Sequence, residues 1–173
     1  MTTLNNTNDT NSEEIPLSKG AKRKHYIIFF SCIVITWLIF KQLLFIQGHS
    51  LNASLAFLIP VKSELKNGDV VTFHYNHAMF DNDNKDVLLV KKVACKPKST
   101  FEKFGYDFYC DGMFLGTAKK ARKNGDIFPV FNYKGVIPDD SYFLLGDSLD
   151  SFDSRYVGFI KKEDLENSAL VIF

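Results

Sequence analysis

The sequence predicts a mostly β domain carried behind a single N-terminal membrane helix. Three observations predict it: an uncharged apolar run near the N-terminus, short β-branched and aromatic runs downstream, and turn-forming clusters between those runs. In order, residues 1–16 are rich in Asn and Thr with almost no large apolar side chains. Such a stretch buries too little surface to offset its ordering entropy and is expected to be disordered. Tyr26 to Phe40 carries no charge, and after Lys41 and Gln42 the apolar character resumes at Leu43, Leu44, Phe45 and Ile46. The uninterrupted 15 residues fall short of a span, but the 21 residues of 26–46 suffice if Lys41 snorkels to the headgroups. A cleavable signal peptide would end in a small-x-small site, which Phe45-Ile46-Gln47 is not. A buried core helix would not be apolar on every side. Lys19, Lys22, Arg23 and Lys24 just before the run set the N-terminus in the cytoplasm. This divides the chain into a tail with a basic flank (1–25), an anchor (26–46) and an exported domain (47–173).

The formal net charge of +1 hides this division. The exported part alone carries 16 basic and 17 acidic groups, a balance that argues against a nucleic-acid binder working by phosphate neutralisation. Within it, Asp69–Tyr75 and Val87–Ala94 read as strands, with Tyr142–Leu145, Tyr156–Ile160 and Leu170–Phe173 as shorter ones. Asn67-Gly68-Asp69, Asn124-Gly125-Asp126 and Pro138-Asp139-Asp140 mark turns, and Lys161–Asn167 reads as a short polar helix. Cys95 and Cys110 both fall in the exported part, where a disulfide between them is permitted, whereas Cys32 lies in the membrane run.

Four segments carry chemistry: Asn52-Ala53-Ser54-Leu55, Asn67-Gly68-Asp69-Val70-Val71, Leu89 to Ala94, and Gly146-Asp147 through Gly158. A serine hydroxyl needs a base to become a nucleophile. His25 precedes the membrane, and His49, His74 and His77 sit in no triad context. A lysine serves instead if desolvation lowers its pKa towards neutrality. Strand alternation puts Lys91 on one face with Leu89 and Val93, and Lys92 on the other with Val90 and Ala94, so pattern alone leaves both open. Ser50 is a second serine in the region, without the Ser-Leu context of Ser54. Asn52-Ala53-Ser54 also reads as an N-glycosylation sequon, which would set a glycan on the candidate nucleophile.

In order and spacing these segments resemble the signal peptidase I family, the membrane-anchored Ser–Lys endopeptidases. The Ser-Leu pair and the Ser151-Phe152-Asp153-Ser154-Arg155-Tyr156 box are similar to the TraF-type peptidases of conjugative transfer. The resemblance implies a signal-peptidase-like β-rich fold, Ser54 as nucleophile and Lys91, the first lysine of the pair, as its base. It implies that Ser151 hydrogen-bonds the Lys91 amine, and that Asp153 and Arg155 form a supporting ion pair. The Ser54 backbone N–H would contribute to the oxyanion hole, with the Asn52 side-chain amide as second donor. Neither metal nor cofactor is implied. The expected partners are an exported precursor peptide or propilin, inner-membrane lipid and the conjugative transfer apparatus, with the catalytic domain in the periplasm of a bacterial cell. The expected activity is propilin maturation or cyclisation. The alternatives are a general signal peptidase I and, outside enzymes, a catalytically silent envelope scaffold. Ala56 follows Ser54-Leu55 where such peptidases usually carry Pro, and Cys95-Lys96-Pro97-Lys98-Ser99 stands where a G-x-P-G-D turn is usual.

Overall fold

The computed structural model describes residues 19–46, 51–76, 86–120 and 129–172. Helix α1 (Lys19–Lys41) is a unit separate from the domain that begins at Lys41. At 1.5 Å per residue its 23 residues are about 34 Å long, enough to cross a bilayer core of about 30 Å. Its apolar stretch is Arg23–Lys41, exposed on all sides. The helix starts inside the basic flank, because Ala, Lys and Arg are strong helix formers.

The anchor predicted over 26–46 is corrected at its C-terminal end. The helix stops at Lys41, and Leu43–Phe45 is strand β1, paired antiparallel with β2 (Leu55–Pro60) from Leu43↔Phe57 to Phe45↔Leu55. The polar Lys41-Gln42 step ends the apolar run, and Leu43 and Leu44 then satisfy their backbone groups in a ladder while half-burying their side chains.

The domain continues with β3 (Val70–Asn76), β4 (Asp86–Cys95), β5 (Thr100–Phe104), β6 (Asp107–Cys110), β7 (Met113–Thr117), β8 (Gly135–Val136) and β9 (Ser141–Leu145). The short helix α2 (Ser154–Val157), β10 (Ile160–Lys161) and β11 (Leu165–Val171) complete it. A seven-stranded sheet runs β1-β2-β11-β3-β4-β9-β10, and a four-stranded sheet runs β7-β6-β5-β8. The last strand thus inserts between β2 and β3, and two strands, β11 and β3, separate β2 from β4.

The large sheet buries Leu65, Val71, Phe73, Val93, Tyr142 and Leu144 together. The small sheet packs Phe101, Phe108 and Phe143 into an aromatic cluster, with Phe101 and Phe143 centroids 4.6 Å apart. Cys95, ending β4, and Cys110, ending β6, are disulfide-bonded with Cα atoms 5.8 Å apart, so the bridge staples one sheet to the other inside that cluster.

Asp69–Tyr75 and Val87–Ala94 correspond to β3 and β4, and turns occur at Asn67-Gly68 and Asp139-Asp140. Gly68 has φ +95°, a left-handed conformation suited to glycine. Two segments differ from expectation. Tyr156–Ile160 is not a strand: Asp153 caps α2 by accepting the Arg155 N–H, and only Ile160 and Lys161 pair, with β9. Lys161–Asn167 is not a helix: a 3-10 turn covers Lys162–Asp164, and Leu165 already begins β11. Pairing on both sides with β2 and β3 overrides the helix propensity of this polar run. The predicted Asn124-Gly125-Asp126 turn and disordered 1–16 tail lie outside the described residues, as do Ser50, His49 and His77.

Candidate active site

Strand β4 presents its two adjacent lysines to opposite environments. Lys91, in register with Val71, is 1% exposed, and burial takes its amine down from the ordinary 10.5 to about 8. The Asp153 carboxylate pulls it back up and the Arg155 guanidinium pushes it down again. Lys92 points the other way, its side chain 41% exposed, and its Nζ lies 2.6 and 2.7 Å from the two Asp147 oxygens. Lys92 is engaged with a carboxylate on the half-exposed face, so the strand leaves the buried Lys91 as the amine suited to accept a proton.

Asp153 and Arg155 form a buried ion pair. Arg155 Nε donates to Asp153 Oδ1 at 2.8 Å and Nη2 to Oδ2 at 2.7 Å, a two-point contact. The Gly146 N–H also donates to Asp153, at 3.0 Å. The rest of the guanidinium donates to the carbonyls of Thr117, Ser148 and Ser151, which ties the end of β7 to the 148–151 loop. Ser154 accepts the Leu144 N–H at 2.9 Å and fastens α2 to β9. Ser151 is buried beside this network, but among the described residues its Oγ has no hydrogen-bond partner. The expected Ser151–Lys91 hydrogen bond is therefore not made in this structure; the Ser151 carbonyl, not its hydroxyl, is what the network uses.

Ser54 is exposed in the turn that leads into β2. Its carbonyl accepts the Ile46 N–H at 3.0 Å. Leu51, Ala56, Val70 and Ala169 are buried together, with Ala53 and Val90 packed against them, so the turn and β4 share one apolar cluster. The Asn52 backbone N–H donates to Asp147 Oδ2 at 2.8 Å, and the residue is exposed. Among the described residues no hydrogen bond joins Ser54 Oγ to Lys91 Nζ. Catalytic hydrogen bonds of this kind are often long in a free enzyme and tighten when substrate binds.

Sequence reasoning gave Asp147 no role, although it stands in the Gly146-Asp147 step that opens the last motif. Its signal is its place two residues past Leu145, which is in register with Lys92. Burial alone would raise its pKa, but the Asn52 N–H and the Lys92 ammonium outweigh that and hold it below the ordinary carboxylate value. A cleft of about 690 Å³ whose lining includes Ser63, Lys96, Ser99, Asp140 and Lys162 lies apart from this chemistry, for it contains none of Ser54, Lys91 and Ser151. Among the described residues no His, Cys, Asp and Glu cluster has the makings of a metal site.

A family profile described as "Signal peptidase, peptidase S26" matches residues 22–173. The chain is 30% identical over 108 residues, 61% of its length, to a probable signal peptidase I-2 of Synechocystis sp.. It is 46% identical over 44 residues, 25% of its length, to a signal peptidase I of Aquifex aeolicus. These stretches are 47% and 17% of the two relatives, so the chain spans about half or less of the curated relatives it matches. It is also similar to the crystal structure of a signal peptidase I from Enterococcus faecalis, with a TM-score of 0.40 and 22% identity over 65% of this chain and 100% of that one.

Proposed function

The chain belongs to the signal peptidase, peptidase S26, family, and from that premise we propose that it is a membrane-anchored serine endopeptidase with Ser54 as nucleophile and Lys91 as base. One observation carries the reading: a lysine buried in strand β4 with its pKa brought down to about 8. At pH 7 such an amine is neutral in roughly a tenth of molecules, against roughly one in three thousand at the ordinary value. A catalytically silent scaffold has no use for that lysine, since a buried ammonium costs stability and an apolar side chain in its place would not.

In the reaction, Ser54 Oγ attacks the scissile carbonyl while Lys91 takes its proton. The oxyanion is held by the Ser54 N–H and the Asn52 side-chain amide. Lys91 then returns the proton to the departing amine, leaving an acyl-enzyme on Ser54. A water, deprotonated by the same amine, attacks the ester and frees Ser54. Asp153 and Arg155 take no part in bond making; they hold the 146–155 segment under Lys91 and set the field around it.

The relatives it matches are signal peptidases I, which favours removal of signal peptides from exported precursors in general over the dedicated propilin processing implied by the TraF-like box. Helix α1 would hold the domain at the membrane, with the basic residues 19–24 on the cytoplasmic side and the domain on the outer face. The test is cleavage of a signal-bearing precursor by the full chain in detergent micelles. Ser54→Ala and Lys91→Ala should each abolish cleavage while the protein stays folded, and cleavage that survives in both variants sinks the dyad. Product mass separates the substrates: a mature pilin lighter by one water would restore the propilin reading.

A further inference from the structure

We propose that Asp147 is a positioning residue that latches the Ser54 turn to strand β4; this rests on the Ser54/Lys91 reading above. Ser54 stands just before β2 and Lys91 on β4, and two strands, β11 and β3, lie between β2 and β4 in the sheet. No ladder hydrogen bond can therefore fix one relative to the other. On the β1 side the turn is pinned by backbone bonds, Ile46 N–H to the Ser54 carbonyl at 3.0 Å and Leu58 N–H to the Gln42 carbonyl at 2.7 Å. Towards β4, the directional contact among the described residues is the Asn52 N–H on Asp147 Oδ2 at 2.8 Å. The apolar contact of Leu51 and Ala53 with the cluster that includes Val90 sets how close the turn lies, but not how it is oriented.

Asp147 suits this use. It stands two residues past Leu145, which pairs with Lys92, so the carboxylate sits over the strand that carries the base. Lys92 Nζ reaches both of its oxygens and holds the carboxylate ionised and aimed at the Asn52 N–H. A hydrogen bond from a backbone N–H to an ionised carboxylate is among the stronger kinds. The two lysines of β4 then have different tasks: Lys91 takes the proton, and Lys92 steadies the group that orients the nucleophile two residues beyond Asn52. Loss of the carboxylate leaves the base intact and lets the nucleophile wander by a fraction of a bond length to an ångström, a displacement that costs up to about 100-fold in rate.

The experiment uses the full chain in detergent micelles with a synthetic precursor peptide bearing a signal sequence, and compares wild type, Ser54→Ala, Asp147→Ala and Asp147→Asn. Folded fraction is measured by near-ultraviolet circular dichroism, so that rates are given per folded molecule. Asp147→Ala should lower kcat by about 10- to 100-fold with KM nearly unchanged, the split expected when only transition-state alignment is lost. Asp147→Asn, which keeps an acceptor oxygen for the Asn52 N–H, should recover most of that loss. An Asp147→Ala variant with wild-type kcat per folded molecule overturns the latch and makes Asp147 a stability residue only. Failure of Asp147→Asn to recover activity also overturns it, since an acceptor oxygen for the Asn52 N–H would then not be what the residue supplies. Cleavage that persists in Ser54→Ala removes the underlying reading and the latch with it, an outcome separate from the other two.

Discussion

Replacing Lys91 by methionine should abolish catalysis and stabilise the protein at the same time. Methionine matches the lysine stem in length and volume and carries no charge to bury. Folding takes the Lys91 amine from 10.5 to about 8, and each pH unit is worth about 1.4 kcal/mol. The buried amine therefore costs the native state about 3 kcal/mol at pH 7. Between pH 8 and 10.5 the folded protein binds fewer protons than the unfolded chain, so wild-type stability rises through that window and is lowest below it. The penalty should shrink to about 1 kcal/mol by pH 10, where the amine is neutral in the fold and only partly charged in the unfolded chain. Thermal unfolding of the full chain in detergent, followed by near-ultraviolet circular dichroism of the buried Phe101–Phe143 cluster, reads this directly. Lys91→Met should unfold about 6–12 °C above wild type at pH 7 and within about 4 °C of it at pH 10. Other titrating groups are common to both proteins and cancel in the difference. An equal difference at both pH values would refute the reasoning, because it would mean that Lys91 is not depressed by folding. Lower stability of the methionine variant at pH 7 would refute it more directly.

Four further outcomes are expected. The kcat/KM for precursor cleavage should rise with pH and reach half its plateau near pH 8, the value burial imposes on Lys91; a profile flat from pH 6 to 9 would exclude Lys91 as the base. Asp153→Asn should cost about 3–5 kcal/mol in chemical denaturation, because it leaves the Arg155 charge buried without its partner; in whatever fraction folds, the pH midpoint of cleavage should move below 8, since Asp153 is what holds the Lys91 pKa up. Asn52→Ala should lower kcat by about 100-fold or more if its amide is the second oxyanion donor, and an unchanged kcat would remove that role. Cys110→Ala should cost about 3 kcal/mol in urea, the loop entropy of a bridge closing 15 positions; an unchanged midpoint would show that the Cys95–Cys110 bridge does not constrain the unfolded chain.

The longer strands rich in β-branched and aromatic residues were legible in the sequence. Val70–Asn76 and Asp86–Cys95 have β-branched runs bounded by turn residues, and both are strands of the large sheet. Of the short ones, Tyr142–Leu145 was legible and is β9, whereas Met113–Thr117 and Gly135–Val136 were not: they exist because neighbours pair with them. The same holds for Leu43–Phe45, whose side chains read as membrane and whose backbone is claimed by β2. At the site, the resemblance to the signal peptidase I family pointed to Ser54, Lys91, Asp153 and Arg155. It could not show Asp147 receiving the Asn52 N–H, because residues 95 positions apart meet only through the sheet. Nor could it show that the Ser151 hydroxyl, among the described residues, stands without a hydrogen-bond partner beside the network.

The adjacent lysines show where each kind of information acts. A strand's period of two guarantees that neighbouring side chains leave on opposite faces, so sequence alone could state that Lys91 and Lys92 differ in surroundings but not which one is buried. That is decided by what pairs with the strand. Val71 and Val93, beside Lys91 in register and in alternation, belong to the buried core of the large sheet, whereas Lys92 pairs with Leu145, two residues ahead of Asp147. One face therefore withholds water from an amine, and the other leaves it half-exposed with a carboxylate in direct contact. A strand shifted by a single residue would exchange the two environments, burying Lys92 and exposing Lys91. The register of β4 against β3 and β9, and not the chemistry of either lysine, is what makes one the candidate base and sets the other against Asp147.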